Sequence, residues 1–294
     1  MRPEFCRPRL LARGDRSATE RASLQTIGAS ICGVRLMNIH PIERTEQPSV
    51  EELRRNFLAQ HKPVIVEGVA DDWVRRDLCS PEALRAAFGD LLVSVRGSDD
   101  EFEVFFSDVP NQTMRLGDYI DLICSEQSDV ERPPYFGNVS LNGAAVQELK
   151  ERLVTHRAFP NYFENQTGAE MRIWVGAAGQ RSLIHNDNYH NLNVQAFGRK
   201  AFLLFAPEQY PFLYTRYFSK SCWISPVEPQ EPDFERFPLF QDVEGYEGVL
   251  EKGEMLFIPK FWWHQARALT TCINVNSWTY TGISDYWQQA SATP

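Results

Sequence analysis

The 294-residue sequence contains no apolar run approaching the roughly 20 residues of a membrane-spanning helix, so it encodes no span of that kind. It contains no C-x-x-C pair. The six cysteines stand singly at 6, 32, 79, 124, 222 and 272, a spacing that provides neither a thiolate zinc site nor a disulfide framework. A chain this long buries a sufficient core without cross-links, so reduced thiols in a cytoplasmic protein are expected. Excess base is also missing: 39 acids against 30 bases leave a net charge of −9, which disfavours a nucleic-acid backbone as partner. No fixed-period repeat and no low-complexity segment occurs. With 43% apolar and 23% charged residues, the composition is that of a folded globular protein.

The charge is unevenly distributed. Residues 1–36 carry seven arginines against Glu4, Asp15 and Glu20, a net +4, and leave −13 on the remainder. This Arg- and Ser-rich stretch reads as a disordered arm. Its apolar piece Ile27–Cys32 is too short and too far in for a secretory signal, while organelle targeting stays open. One domain over 37–294 follows, divided into an α/β flank (37–170) and a β core (171–280). In the flank, Ser49-Val50-Glu51-Glu52 is a capping box that opens a helix with Val50, Leu53, Phe57 and Leu58 on one face. Pro63–Val66 reads as a buried strand, and Ser80-Pro81-Glu82 opens a second helix that Gly89 closes. Leu91–Val95 and Phe102–Phe106 are expected as strands, Tyr119–Cys124 and Val146–Val154 as helices.

From Met171 the pattern changes to short strands: Arg172–Val175, Leu183–His185, Leu192–Phe197, Ala201–Phe205, Met255–Ile258, Trp262–Ala266 and Cys272–Trp278. Turns and Pro-rich loops separate them, which argues for an all-β barrel or sandwich. Within this region His185-Asn186-Asp187 is the pattern that carries chemistry. On an extended strand residues i and i+2 share a face, so an imidazole and a carboxylate point together. A second histidine from elsewhere would complete the two-His, one-carboxylate facial set that holds Fe(II) and leaves positions open. His190 and His264 are the candidates. His190 falls on the opposite face of a continuing strand and reads as structural. His264 follows Phe261, Trp262 and Trp263, three aromatics expected to wall the imidazole from water.

These residues carry a family resemblance. Gly179-x5-His185-x-Asp187 with Asn191-x6-Gly198 resembles the first cupin motif. Gly253-x5-Pro259 with His264 resembles the second, although Phe261 stands in place of its second Gly and Ala268 in place of its terminal Asn. Together with Lys62–Gly68, Pro232–Glu247 and Val275–Trp278, the stretch from Asn38 to Tyr280 resembles the JmjC-type, cupin-like Fe(II)- and 2-oxoglutarate-dependent dioxygenases. Among these it is most similar to the factor-inhibiting-HIF type of hydroxylase.

The resemblance implies a mainly β protein with flanking helices, built on a double-stranded β-helix (jelly-roll, cupin, JmjC-like barrel) with an N-terminal α/β flank. It implies Fe(II) held by His185, Asp187 and His264, with O2 and 2-oxoglutarate as cosubstrates. Lys200 is implied to anchor the distal carboxylate of the oxoacid, helped by Ser182 and Tyr135, while Asn191 and Asn276 contact its proximal end or orient the metal shell. Trp278 and Trp263 would support that shell. The implied reaction is hydroxylation of a C–H bond on a protein or peptide side chain, releasing succinate and CO2. Two departures limit it: Ser219–Pro226 has no Arg-Gln pair for gripping an asparagine substrate, and with about fourteen residues after Tyr280 a dimer through long C-terminal helices is not expected. A hydroxylase of RNA or of a small molecule, a metal cupin without an oxoacid, and a binding module remain the alternatives.

Overall fold

The computed structural model describes residues 38–70, 79–96, 112–125, 134–140, 148, 149, 151, 170–219 and 222–279. The expected arm 1–36, the strand Phe102–Phe106, most of the helix Val146–Val154 and the C-terminal stretch lie outside the described residues.

The chain enters through two short strands, β1 (Ile39–Pro41) and β2 (Arg44–Glu46), and then a helix α1 (Val50–Leu53) that widens into a π-turn over Arg54–Leu58. The capping box is formed as expected: the Ser49 hydroxyl accepts the Glu52 amide, and the Glu52 carboxylate accepts the Ser49 amide. Strand β3 (Val64–Glu67) is followed by α2 (Pro81–Phe88), β4 (Leu92–Val95), β5 (Gln112–Arg115), α3 (Leu116–Cys124) and β6 (Phe136–Ser140). The β core then runs through β7 (Glu170–Gly176), β8 (His185–Asp187), β9 (His190–Phe197), β10 (Lys200–Phe205), β11 (Arg216–Ser219) and β12 (Cys222–Ile224). It ends with β13 (Gly245–Leu250), β14 (Met255–Ile258), β15 (Trp263–Ala268) and β16 (Cys272–Thr279).

Two seven-stranded sheets result, ordered β1-β13-β10-β15-β8-β12-β11 and β2-β3-β14-β9-β16-β7-β6. From β7 to β10 and from β13 to β16, each strand lies in the sheet opposite its predecessor, which is the winding of a double-stranded β-helix. The flank is not a separate layer. Its strands β1 and β2 add to the sheets in parallel, β3 and β6 in antiparallel fashion, and β4 and β5 pair antiparallel with each other outside the two large sheets.

Alternation along the strands sorts their residues onto two buried faces. In the second sheet, Val64, Val66, Leu192, Val194, Met255, Phe257, Ile273 and Val275 point outward, onto a cluster with Leu53, Phe57, Leu84, Leu116 and Ile120 of the helices. Between the sheets, Ile65, Phe202, Leu204, Leu256, Ile258 and Trp262 form an apolar plug at one side. The first sheet's outer face is covered by the segment after β10, where Phe237, Phe240 and Val243 pack on Leu203 and Phe205. Buried Tyr119 on α3 ties flank to core: its hydroxyl donates to the Val175 carbonyl (2.7 Å) and accepts the Phe136 amide (3.1 Å).

Gly198 shows why its motif position is a glycine. It has φ of 72°, and a Cβ would lie 2.1 Å from the Thr271 carbonyl oxygen.

Removing the Tyr119 hydroxyl in Tyr119→Phe leaves the Val175 carbonyl and the Phe136 amide buried without that partner. We expect a loss of about 2 kcal/mol in urea unfolding with an unchanged m-value; a loss below about 0.5 kcal/mol would show that the hydroxyl does not join the layers.

Candidate metal centre

The remaining inward face of the barrel is polar. On β9 it presents Asn191, Asn193 and Gln195, on β16 Asn274 and Asn276, all buried. Facing them across the barrel are His185 and Asp187 of β8 and His264 of β15. β8 pairs with β15 so that His185 and His264 are direct neighbours in register. Their rings stand 4.2 Å apart between centroids, and the His264 Nε2 lies 3.8 Å from the Asp187 Oδ2. One ligand atom from each of the three residues falls within 4.8 Å of the other two; among the described residues this is the group with metal-holding geometry.

Each imidazole is oriented by its own backbone. The His185 Nδ1 lies 2.9 Å from the Leu183 carbonyl, and the His264 Nδ1 lies 3.0 Å from the Trp262 carbonyl. With the proton on Nδ1, both Nε2 lone pairs face the common point, which is the tautomer a metal needs. Burial, and then the neighbouring His185, push the His264 pKa well below the ordinary imidazole value. Burial raises Asp187, while His185 and Arg172 pull it back down. Its Oδ2 is buried with no hydrogen-bond partner. A buried carboxylate oxygen without a donor, set against two imidazole Nε2 atoms, is the donor set of a divalent cation such as Fe(II).

Lys200, at the start of β10, is only 6% exposed, and no described carboxylate pairs with it. Its ammonium lies 5.7 Å from the Trp174 ring centroid and 6.0 Å from that of Phe202, and burial pushes its pKa down. Tyr135 reaches the same end of the barrel. Its ring is buried, sits 5.9 Å from Trp174, and packs where side chains at Gly137 and Gly176 would collide with it. Burial raises the Tyr135 phenol far above its usual range, so it is a neutral hydrogen-bonding group. The Ser182 hydroxyl accepts the Ala266 amide (2.9 Å), which leaves its proton free to be donated.

The asparagines form a relay. Trp174 Nε1 donates to Asn276 Oδ1 (2.7 Å), and Asn276 Nδ2 donates to Asn191 Oδ1 (3.0 Å). Trp278 stacks on Tyr189 at 5.7 Å and carries the Arg172 guanidinium 4.7 Å over its ring. Among the described residues, Trp278 Nε1 and Asn193 Nδ2 are buried donors without partners.

The expected aromatic wall is corrected. Trp263 lies on the strand face opposite His264, packed with Ile184, Leu203 and Phe205 outside the barrel. Trp262 joins the apolar plug between the sheets, and Phe261 is exposed. Strand alternation, which pairs His185 with Asp187, necessarily turns Trp263 away from its neighbour. His190 begins β9 in the other sheet, so no strand continues through it from Asp187. Its ring packs on His61 and Phe257, its Nδ1 accepts the Lys260 amide at 3.2 Å, and burial lowers its pKa to about 3.

Arg172, Trp174, Asn193 and Cys222 were absent from the sequence-based set. The first two were recognisable only as the alternate positions of β7, between Ile173 and Val175. Cys222 lies opposite Asp187 in the β12–β8 register, and burial together with that carboxylate lifts its thiol to about 12. The loop into β15 carries a further feature. Phe261 adopts φ of 68°, a left-handed conformation that costs an L-residue roughly 1–2 kcal/mol, and its amide donates to the Asp187 carbonyl at 2.8 Å.

Comparison with known proteins places residues 50–285 in a match to the family described as a cupin-like domain. The chain is 29% identical to lysine-specific demethylase 8 of Xenopus tropicalis over 242 residues, covering 81% of this chain and 52% of that protein. It is 25% identical to lysine-specific demethylase JMJ30 of Arabidopsis thaliana, covering 87% of this chain and 59% of that one. With HSPB1-associated protein 1 of Rattus norvegicus it shares 38% identity over 120 residues, 40% of this chain and 25% of the relative. The chain thus spans between a quarter and about three-fifths of the length of these relatives.

Two outcomes follow from the site. Addition of Mn(II) or Fe(II) should raise the melting temperature of the metal-free protein, and Asp187→Asn should abolish that rise while its own metal-free form melts no lower, because an unpaired buried charge has gone. A rise retained in Asp187→Asn would exclude the carboxylate as a ligand. Because His264 has a lowered pKa in the folded chain, its stabilising contribution is complete above about pH 6.5 and declines as pH falls below that, where the unfolded chain takes up the proton first. Metal-free His264→Gln should accordingly show a flatter melting curve than the parent between about pH 5 and 6.5.

Proposed function

The chain belongs to the cupin-like domain family, in its JmjC-type branch of oxygenases, and on that premise we propose that it is an Fe(II)- and 2-oxoglutarate-dependent oxygenase acting on a protein or peptide side chain. The observation that carries this reading is a pair of opposite charges buried in one barrel: the Asp187 oxygen with its two histidines, and the Lys200 ammonium. A metal alone answers the first. A carboxylate ligand is required to answer the second, and an oxoacid cosubstrate supplies it.

His185, Asp187 and His264 would hold the iron, and Lys200 with the Ser182 hydroxyl would hold the distal carboxylate of the oxoacid. Iron and 2-oxoglutarate together supply oxidative decarboxylation to succinate and CO2, coupled to transfer of one oxygen atom of O2 into a substrate C–H bond. The protein contributes position and exclusion. The two backbone-held imidazoles need no reorganisation to present Nε2, and Asp187 brings one negative charge at a fixed point. Lys200 is a compact point donor matched to a single carboxylate, and the Trp174 and Tyr135 rings keep water from that end of the cavity. Asn191 and Asn276, locked in their relay with Trp174, fix polar groups toward the same space, and the Trp278 indole N–H remains available to an incoming oxygen.

A protein substrate fits the acidic body, which carries −13 outside residues 1–36 and so repels a phosphate backbone. Two relatives bear the name lysine-specific demethylase; hydroxylation of an N-methyl carbon and of an ordinary side-chain carbon begin with the same C–H attack. Among the described residues no helix is long and apolar enough to cross a membrane.

The reading is tested by succinate release from 2-oxoglutarate with Fe(II) and O2, with and without a random-sequence peptide library. Release that a chelator abolishes and peptides stimulate is expected; no release and no oxoacid binding would end it. Lys200→Ala should raise the KM for 2-oxoglutarate by roughly 30-fold or more, the equivalent of ~2 kcal/mol from a lost charge-assisted bond. An unchanged KM would remove Lys200 from the site.

A further inference from the structure

Phe261 is a residue for which neither the fold nor the metal site gives a use. Four non-glycine residues among those described have positive φ: Gln47, His61, Tyr214 and Phe261. In three the side chain has work within the fold. The Gln47 amide donates to the Gly68 carbonyl at 3.0 Å, and the His61 ring packs edge-on against His190 at 5.9 Å. The Tyr214 hydroxyl accepts the Leu239 amide at 2.8 Å while its ring packs on Phe237 at 5.1 Å. Phe261 turns its ring outward. It is 43% exposed, and its ring partner is the Lys260 ammonium, 5.4 Å from the centroid.

Glycine would adopt this φ without strain and would leave no apolar ring in water. The backbone here is nonetheless committed, since the Phe261 amide holds the Asp187 carbonyl and the chain reaches His264 three residues later. A strained, solvent-facing ring is therefore pinned to a loop that is hydrogen-bonded to Asp187 and leads into the His264 strand. On the other flank of β8, the Trp223 amide donates to the Asn186 side chain at 3.2 Å. The Trp223 and Tyr217 rings, 46% and 58% exposed, pack 5.6 Å apart. Exposed aromatic surface thus borders the ligand-bearing strand through both of its neighbours.

We propose that Phe261 is a specificity-determining residue whose ring receives an apolar side chain of an extended peptide substrate. Aromatic rings at a binding surface give large apolar contact at little conformational cost. The inference rests on the oxygenase reading above and names the substrate-side contact of the same site.

The test uses the full chain with Mn(II) and 2-oxoglutarate, offered a phage-displayed random-sequence peptide library. The wild type should enrich Leu, Met or aromatic residues at one position of the selected peptides. Phe261→Gly should bind a selected peptide at least about tenfold more weakly by fluorescence anisotropy. Its peptide-independent succinate release with Fe(II) should stay within about twofold of wild type, since the backbone is retained. Phe261→Asn, which tolerates the same φ, should match Phe261→Gly, and Leu92→Ala, another exposed apolar residue, should match wild type. Equal peptide binding by wild type and Phe261→Gly, or stimulation by a single-stranded RNA oligonucleotide with no peptide enrichment, overturns the inference while succinate release still supports the oxygenase reading. No succinate release from the wild type overturns that reading and the inference with it.

Discussion

Two charges buried in the same barrel without partners of their own organise this molecule. Among the described residues the Asp187 Oδ2 has no hydrogen-bond donor and the Lys200 ammonium no carboxylate. Each alone would be among the most costly features a fold can hold. They lie on β8 and β10 with β15 between them, and no ion pair joins the two. Keeping them apart requires walls that cannot collapse, and most of the remaining structure serves that need.

The walls are stiff because the core strands are buried on both faces. β9 and β10 are almost wholly inaccessible, with helices or a long covering segment on one side and the opposite sheet on the other. The apolar plug around Phe202, Leu256 and Ile258 closes one side of the interior, which leaves the polar residues to share the other. There the Trp174–Asn276–Asn191 relay holds the amides in place. The N-terminal strands contribute by extending both sheets, so that β13 and β14 are interior strands.

Much of the core was legible in the sequence because a strand has a period of two and its signals are local. The His185–Asp187 pairing, the strands around Met255–Ile258 and Cys272–Thr279, and the capping box at Ser49 follow from neighbours within a few residues. Strands such as β1, β2 and β12 have three residues each, too few to show a period, and form because a partner edge is waiting for them. The strand expected at Leu183–His185 is in fact His185–Asp187, since the pairing with β12 and β15 fixes its limits. Trp263 was misplaced by proximity in the chain: adjacency to His264 was read as contact, whereas adjacent strand residues face apart. Lys200 came through family resemblance. Nothing in the local sequence distinguishes it from its neighbour Arg199, which pairs with Glu251 at the surface.

The two imidazoles are steered by main-chain carbonyls two residues before them, at Leu183 and Trp262. In many metal sites the corresponding acceptor is a carboxylate side chain, which a single substitution can delete. Here no substitution at either position removes the acceptor, because every amino acid carries it. The aim of both rings is written into the path of the chain, so the residues around them are free to vary with substrate while the point where the metal sits stays where it is.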